Sequence, residues 1–326
     1  MSSADIVADV EMHANAILQV CSYHRRDFDL VVIRSRPHEM QRVQASLQSA
    51  FKTLPTANMR ILDCLPLELM TLVLHKLDLR SFFSFRQVNR QSRIISTGLW
   101  EYKLVSQHGL EGLRGLLRAQ LAPYFTISDL YRSLTTDKCS TCGAFGGHLF
   151  LFTAERCCFD CLLSSPHYLN RLLGIKLRTV PGIYNMLERL VKRPTYLIFE
   201  KKATQILLTT KAIGESAVYN LGSRKEQENQ RFMTATAYPH YSLEDAKLER
   251  GVSCKGCQIR HQLLHDVIIT QDRGFSTRGF LSHFSHCVEA QNLWTESEKG
   301  TRRINEPQIT RDCGYFKKPG SDGRPA

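Results

Sequence analysis

The spacing of its cysteines constrains this chain more than any other feature. Cys139-x2-Cys142 is followed after fifteen residues by Cys158-x2-Cys161, the spacing of a four-cysteine structural zinc site. A Cys-x2-Cys turn lets both thiolates face one ion, and two such knuckles close a tetrahedron. Residues Gly143 to Ala154, with Gly146-Gly147, join the knuckles as a hairpin whose strands come from Leu149-Phe150-Leu151-Phe152. Cys157 adjoins Cys158, so Cys157-x3-Cys161 is an alternative second knuckle, and His148 is a spare ligand. A second cluster has Cys254-x2-Cys257 and, after twenty-five further residues, His283-x3-Cys287. Phe275, Phe280 and Leu281 precede His283 as apolar residues precede the first histidine of a zinc finger. The three-residue gap puts His283 and Cys287 on one helix face. The intervening loop is longer than the roughly dozen residues of a standard finger, so a base-reading strand-strand-helix unit does not follow. His261, His265 and His286 are alternative ligands. Four protein ligands leave no position for water, which makes these sites structural in type.

The first twenty residues carry Asp5, Asp9 and Glu11 where a signal peptide needs positive charge and an apolar core. The expectation is a protein that is not secreted and works inside the cell, in cytoplasm or nucleus. In that reducing setting the eleven cysteines read as metal ligands or core thiols, with Cys21, Cys64 and Cys313 standing alone. No apolar run approaches 18 residues, which excludes a membrane-spanning helix. At 326 residues with 43% hydrophobic composition, two or three cooperating modules are expected. The net charge of +12 points to an acidic partner. Basic residues are densest from Arg171 to Lys211, which is either a solvated helical face or a surface for nucleic acid or acidic protein. Gly109-x2-Gly112-x2-Gly115 lies in a leucine-rich helical stretch and matches no phosphate-cradling or dinucleotide motif. Nothing places a lone cysteine beside a helper, so no catalytic residue is assigned and the chain reads as a non-enzyme.

Apolar residues at helical spacing mark Ser3 to Cys21, Phe28 to Ile33 reads as a short strand, and Pro37 opens a helix whose stripe is Met40, Val43, Leu47, Ala50 and Phe51. Residues 52–58 connect to the next unit. From Leu62 to Trp100 the chain is dense in apolar residues. Pro66 opens one helix to about Leu77, Ser81 caps a second to Val88, and Asn89 caps a third through Ile95. Helices this short are marginal alone and have too many apolar faces to bury one another, so a partner surface is implied.

This stretch resembles the F-box: Leu65-Pro66-Leu67-Glu68, Asp78-Leu79, Val88-Asn89-Arg90 and Leu99-Trp100 match that family's motifs in order and spacing. The resemblance implies three helices that bind the Skp-type adaptor of cullin-RING ubiquitin ligases, with Leu65, Pro66, Leu69, Leu77, Leu79 and Val88 filling its apolar groove. The zinc clusters do not fit a RING domain, which interleaves eight ligands around two ions.

The expected fold class is mainly α with small zinc-stapled β elements. An N-terminal helical region (1–57) precedes the F-box (62–101) and a helical linker (102–135). A zinc-knuckle, treble-clef-like module (136–175) follows, with a helix through Leu169, Leu172 and Leu173. Then come a basic helical region and polar loop (176–249), a finger-like Cys-Cys-His-Cys module (250–295) and a disordered tail (297–326). The combination looks like a group of F-box proteins from filamentous fungi. That implies a non-catalytic substrate receptor with two Zn2+ ions, a Skp-type adaptor and cullin scaffold as partners, and an unidentified protein substrate. The alternative is a zinc-dependent nucleic-acid-binding protein that uses residues 171–211 and the fingers.

Overall fold

A computed structural model describes residues 3–50, 59, 62, 64–164, 176–185, 190–198, 229–264 and 272–315. The connection at 52–58, the helix expected through Leu169 to Leu173, much of the basic stretch 171–211 and the polar run 223–228 lie outside the described residues. The chain is mainly helical with small strands, as its periodicity implies. No described helix is long and apolar enough to cross a membrane.

Helix α1 (Ser3–Cys21) leads into β1 (Ser22–Tyr23), α2 (Arg26–Leu30) and α3 (Pro37–Gln48). The strand expected over Phe28 to Ile33 is therefore corrected. Phe28 sits in α2 and stacks on Phe159 at 3.8 Å, and only Ile33 bridges to a strand residue, Thr236. Three short helices follow, α4 (Leu67–Lys76), α5 (Leu79–Val88) and α6 (Arg90–Gly98). The Asp78 side chain caps α5 by accepting the Ser81 N–H at 3.0 Å, which makes Ser81 the donor and moves the cap from its expected place. Asn89 caps α6 as its position implies. Arg86, buried in α5, donates to the carbonyls of Ser46, Leu47 and Ser49 and so ties the end of α3 to this unit.

The leucine-rich stretch after Trp100 forms two helices, α7 (Trp100–His108) and α8 (Leu110–Arg118), where a continuous one was expected. A Cβ at Gly109 or Gly112 would run into the Tyr238 ring, which is fully buried against both and donates its hydroxyl hydrogen to the Leu130 carbonyl at 3.0 Å. After α9 (Ile127–Thr135), closed by a Thr126–Asp129 capping box, come β2 (His148–Phe150), β3 (Glu155–Cys157) and α10 (Phe159–Ser164). Only half of Leu149 to Phe152 is strand, because the hairpin turns at 151–154 with Ala154 at φ +50°.

The described residues of 176–185 and 190–198 are corrected from helix to strands: β4 (Lys176–Arg178) pairs β7 (Tyr196–Ile198), and β5 (Gly182–Ile183) pairs β6 (Leu190–Val191). Pro181-Gly182 and Pro194 interrupt any helical run there. Then β8 (Ala235–Ala237) joins β2 to make the sheet β3-β2-β8, and β9 (His240–Ser242) forms a hairpin with β10 (Lys247–Glu249). The last part is β11 (Ser253–Cys254), α11 (Lys255–Leu264), α12 (Thr277–Phe284), α13 (Val288–Glu296) and the short α14 (Gln308–Arg311).

One apolar core runs from α4 and α5 through α7 to α9 into the sheet β3-β2-β8. Arg156 crosses it, 2% exposed, donating to the carbonyls of Ser133, Gly146, Tyr238 and Pro239. A second core joins the chain's two ends: Ile17 and Cys21 of α1 pack with Phe280, Phe284 and Trp294 of α12 and α13, while β1 pairs β11. Residues of the N-terminal region and of the 250–295 module thus share one core. The expected disorder from 297 is corrected through residue 315. Ile309 is buried, the Arg26 N–H donates to the Cys313 carbonyl at 2.7 Å, and Lys255 pairs with Glu306 at 2.7 Å.

Leu79 and Leu72 separate the two faces of the helical unit. Leu79 is 0% exposed and Leu72 60% exposed. In urea unfolding of the isolated chain, Leu79→Ala is expected to cost about 2–5 kcal/mol, whereas Leu72→Ala stays within about 0.5 kcal/mol of wild type.

Candidate metal centres and adaptor face

The first cysteine cluster is assembled by a knuckle, a hairpin and a helix start. The Gly143 N–H returns to the Cys139 carbonyl at 3.0 Å, with Gly143 at φ +72°, a left-handed turn suited to glycine. The β2-β3 hairpin then delivers Cys158 just before α10 and Cys161 within its first turn, where the Cys161 N–H points at the Cys158 sulfur at 3.4 Å. The Sγ atoms of Cys139, Cys142, Cys158 and Cys161 lie within 4.8 Å of one another, and Cys142 and Cys158 are 3.6 Å apart. Sulfurs about 2.3 Å from one tetrahedral ion stand about 3.8 Å apart, so this set can hold a metal ion. The choice between Cys157 and Cys158 falls to Cys158, since Cys157 is buried in β3, outside the cluster. His148 is not a ligand either; its Nε2 faces the Phe28 carbonyl at 3.3 Å.

The second cluster has a different scaffold from the one its spacing suggests. Cys254 ends β11, Cys257 lies in the first turn of α11, His283 in the last turn of α12, and Cys287 is the N-cap of α13. His283 and Cys287 thus occupy two helices joined by a tight turn, and the shared helix face is corrected. Three helices replace the finger unit. The four ligand atoms again lie within 4.8 Å, with Cys257 3.3 Å from His283 Nε2 and Cys254 3.8 Å from Cys287. Phe275 stacks on the His283 ring at 4.5 Å, and Phe280 is fully buried behind it. His286 turns away to the Ser282 carbonyl, His261 stands outside the cluster, and His265 lies outside the described residues.

The thiols of each cluster share protons. A hydrogen bond from Cys158 holds Cys139 down at about 3, while Cys158 is pushed up by the same bond and by burial. Burial and Cys142 raise Cys161 to about 12. In the second cluster, bonds from Cys254 and Cys257 lower Cys287, and Cys254 rises in return. A cation that binds here must displace the retained protons, so affinity falls as pH falls.

The helical unit carries an apolar groove of about 680 Å3 lined by Leu62, Leu65, Leu67, Met70, Ile95 and Trp100. Of the residues expected to face a partner, Leu65, Leu69 and Val88 are exposed, at 39%, 48% and 70%, and Pro66 is exposed beside them. Leu77 is half-buried against the core. Leu79 is corrected: it is fully buried, its N–H bonded to the Phe125 carbonyl, so it braces the unit from inside. Leu67, Leu72, Val73 and Trp100 share the exposed apolar surface. Among the four, Leu72 sits on the face of α4 opposite buried Met70 and Leu74, an assignment that the 3.6-residue period alone could have made, and Val73 lies on its flank.

His24 is held at both ring nitrogens. Its Nε2 meets Asp29 at 2.8 Å and its Nδ1 meets the Gly251 carbonyl at 3.1 Å. The Asp29 bond raises the imidazole above its usual range against the opposing effect of burial. A raised folded pKa gives stability that is full below about pH 6.5 and is lost as pH rises through the folded value. The stability gap between wild type and His24→Gln is therefore expected to be widest at pH 5.5 and to narrow toward pH 8. Thermal melts across that range check it. The side chain is 37% exposed, so screening keeps the gap small.

Comparison with known families finds an F-box domain at residues 62–104, the segment that carries α4 to α6 and the exposed groove. F-box domains bind Skp-type adaptors in SCF complexes and in general serve as their substrate-adaptor subunits. No curated protein and no solved structure matches the chain.

Proposed function

We propose that this protein is a non-catalytic substrate receptor of an SCF-type cullin-RING ubiquitin ligase, of the kind resembled in filamentous fungi. The observation that carries this reading is the solvent-exposed apolar face of an F-box domain whose other face is sealed into the core. The adaptor covers Leu65, Pro66, Leu67, Leu69, Leu72 and Val88 and links the chain to a cullin scaffold. Zn2+ occupies both clusters, since sets of four thiolates and of three thiolates with one imidazole suit that ion. The ions order the loop-rich second half, which presents a protein substrate. The receptor contributes effective concentration and orientation, and ubiquitin transfer is carried out by other subunits. It works inside the cell, in cytosol or nucleus.

Co-purification with a Skp-type adaptor at about 50 and about 300 mM salt tests this. Apolar docking predicts recovery that changes little with salt. A zinc-loaded, folded chain that ignores the adaptor, yet binds nucleic acid with a steep salt dependence, would refute it.

A further inference from the structure

We infer that the cleft between the two cysteine clusters is a docking groove for an acidic segment of the substrate protein, with Arg250 holding a carboxylate of that segment. The inference rests on the receptor reading above and gives it a substrate class.

Two compartments share Asp29, Gly147 and Arg250 in their walls and so form one cleft. The wider has a volume of about 340 Å3, within the range of ligand sites. Leu30, Met40, Leu110 of α8 and Leu248 of β10, which is 42% exposed, supply apolar surface to its walls beside the polar side chains of Gln44, Gln107 and His108. The narrower, about 30 Å3, is lined by His24, Phe28, His148, Phe159 and Gly251 and admits one small group.

The charges of this cleft are unequally used. Asp29 is bonded to His24 at 2.8 Å, Asp272 accepts from Arg25 at 3.0 Å, and Glu111 accepts the Ser35 N–H at 3.1 Å. Each carboxylate in the walls therefore has an internal donor. Arg250 stands exposed at the seam of the two compartments, with no hydrogen-bond or ion-pair partner among the described residues. The chain as a whole carries +12, which steers acidic partners toward it. An extended peptide fits this layout by placing an apolar side chain in the wide compartment and an Asp or Glu carboxylate on the Arg250 guanidinium.

Selection from a random twelve-residue peptide display library on the full-length, zinc-loaded chain without adaptor tests the assignment. Enriched sequences are expected to place Asp or Glu two to four residues from Leu, Ile, Met or Phe. A synthetic copy should bind wild type and weaken about tenfold or more with Arg250→Glu. Leu248→Asp should weaken it similarly, and a copy with Lys in place of the acid should regain binding to the Arg250→Glu chain. Arg250 and Leu248 are exposed, so melting and zinc content should match wild type; Arg250→Gln provides the same reading if charge reversal disturbs folding. No enrichment, enrichment of basic peptides, equal binding to the variants, or binding only after serine phosphorylation would each overturn the assignment. Adaptor capture is measured on the same preparations. Peptide binding by a chain that fails to capture the adaptor would leave the groove standing and remove the ligase reading.

Discussion

A Leu67→Asp, Leu72→Asp double variant is expected to lose adaptor capture by about a thousandfold while the free chain remains as stable as wild type. Both leucines are about 60% exposed on α4, at 61% and 60%. Covering one such side chain contributes roughly 1.5–3 kcal/mol, so two removed together amount to about 4 kcal/mol, and each tenfold in affinity is about 1.4 kcal/mol. The carboxylates add to the loss, because an unpaired charge in an apolar contact is costly. In the uncomplexed chain the same carboxylates sit in water. Titration of the adaptor by calorimetry, paired with a thermal melt of each free protein, checks both halves. A variant that binds with wild-type affinity would move the contact off α4.

Adjacent cysteines give the second large contrast. Cys158→Ser is expected to lower bound zinc from two ions per chain to one and to unfold the first module. Cys157→Ser keeps both ions and costs only what a buried thiol in β3 contributes to packing. A structural zinc site supplies roughly 10–16 kcal/mol, against a net stability of about 5–15 kcal/mol for a whole domain, so losing the ion exceeds what the core can offset. Metal analysis of the two purified variants, followed by limited proteolysis, separates them. Chelation of wild type should reproduce the Cys158→Ser pattern and extend it to the second cluster, where α12 and α13 lose their anchor. Retention of two ions by Cys158→Ser would reassign the ligand to Cys157.

The two cysteine clusters that could hold metal ions and the F-box helices were legible in the sequence for a shared reason: both are local. A Cys-x2-Cys knuckle is fixed by one turn, and the cap at Asn89 lies within three residues of the N–H it satisfies, whereas the cap expected at Ser81 falls to Asp78. What the sequence concealed depends on contacts between distant residues. Phe28 reads as strand until Phe159 is seen stacked on it. The need for glycine at 109 and 112 comes from Tyr238, more than a hundred residues away. His283 and Cys287 have the spacing of one helix, but a tight turn at residues 285–287 places them on two. Leu79 belongs to the motif by position, yet it is fully buried with its N–H on the carbonyl of Phe125, which the motif does not include. The order in residues 297–315 follows from contacts with the other end of the chain, and composition does not report those.

The continuity of the core across α4, α5 and the sheet β3-β2-β8 has an engineering consequence. The F-box of this protein is not a portable cassette. Its inner residues Met70, Leu74, Leu79 and Phe82 belong to the same apolar body as Leu149 and Leu151 of the hairpin region. A chimera cut at residue 101 would expose that body on both fragments and aggregate. Redesign of the exposed face is better attempted by repainting the outer surface of α4, leaving the inner one untouched.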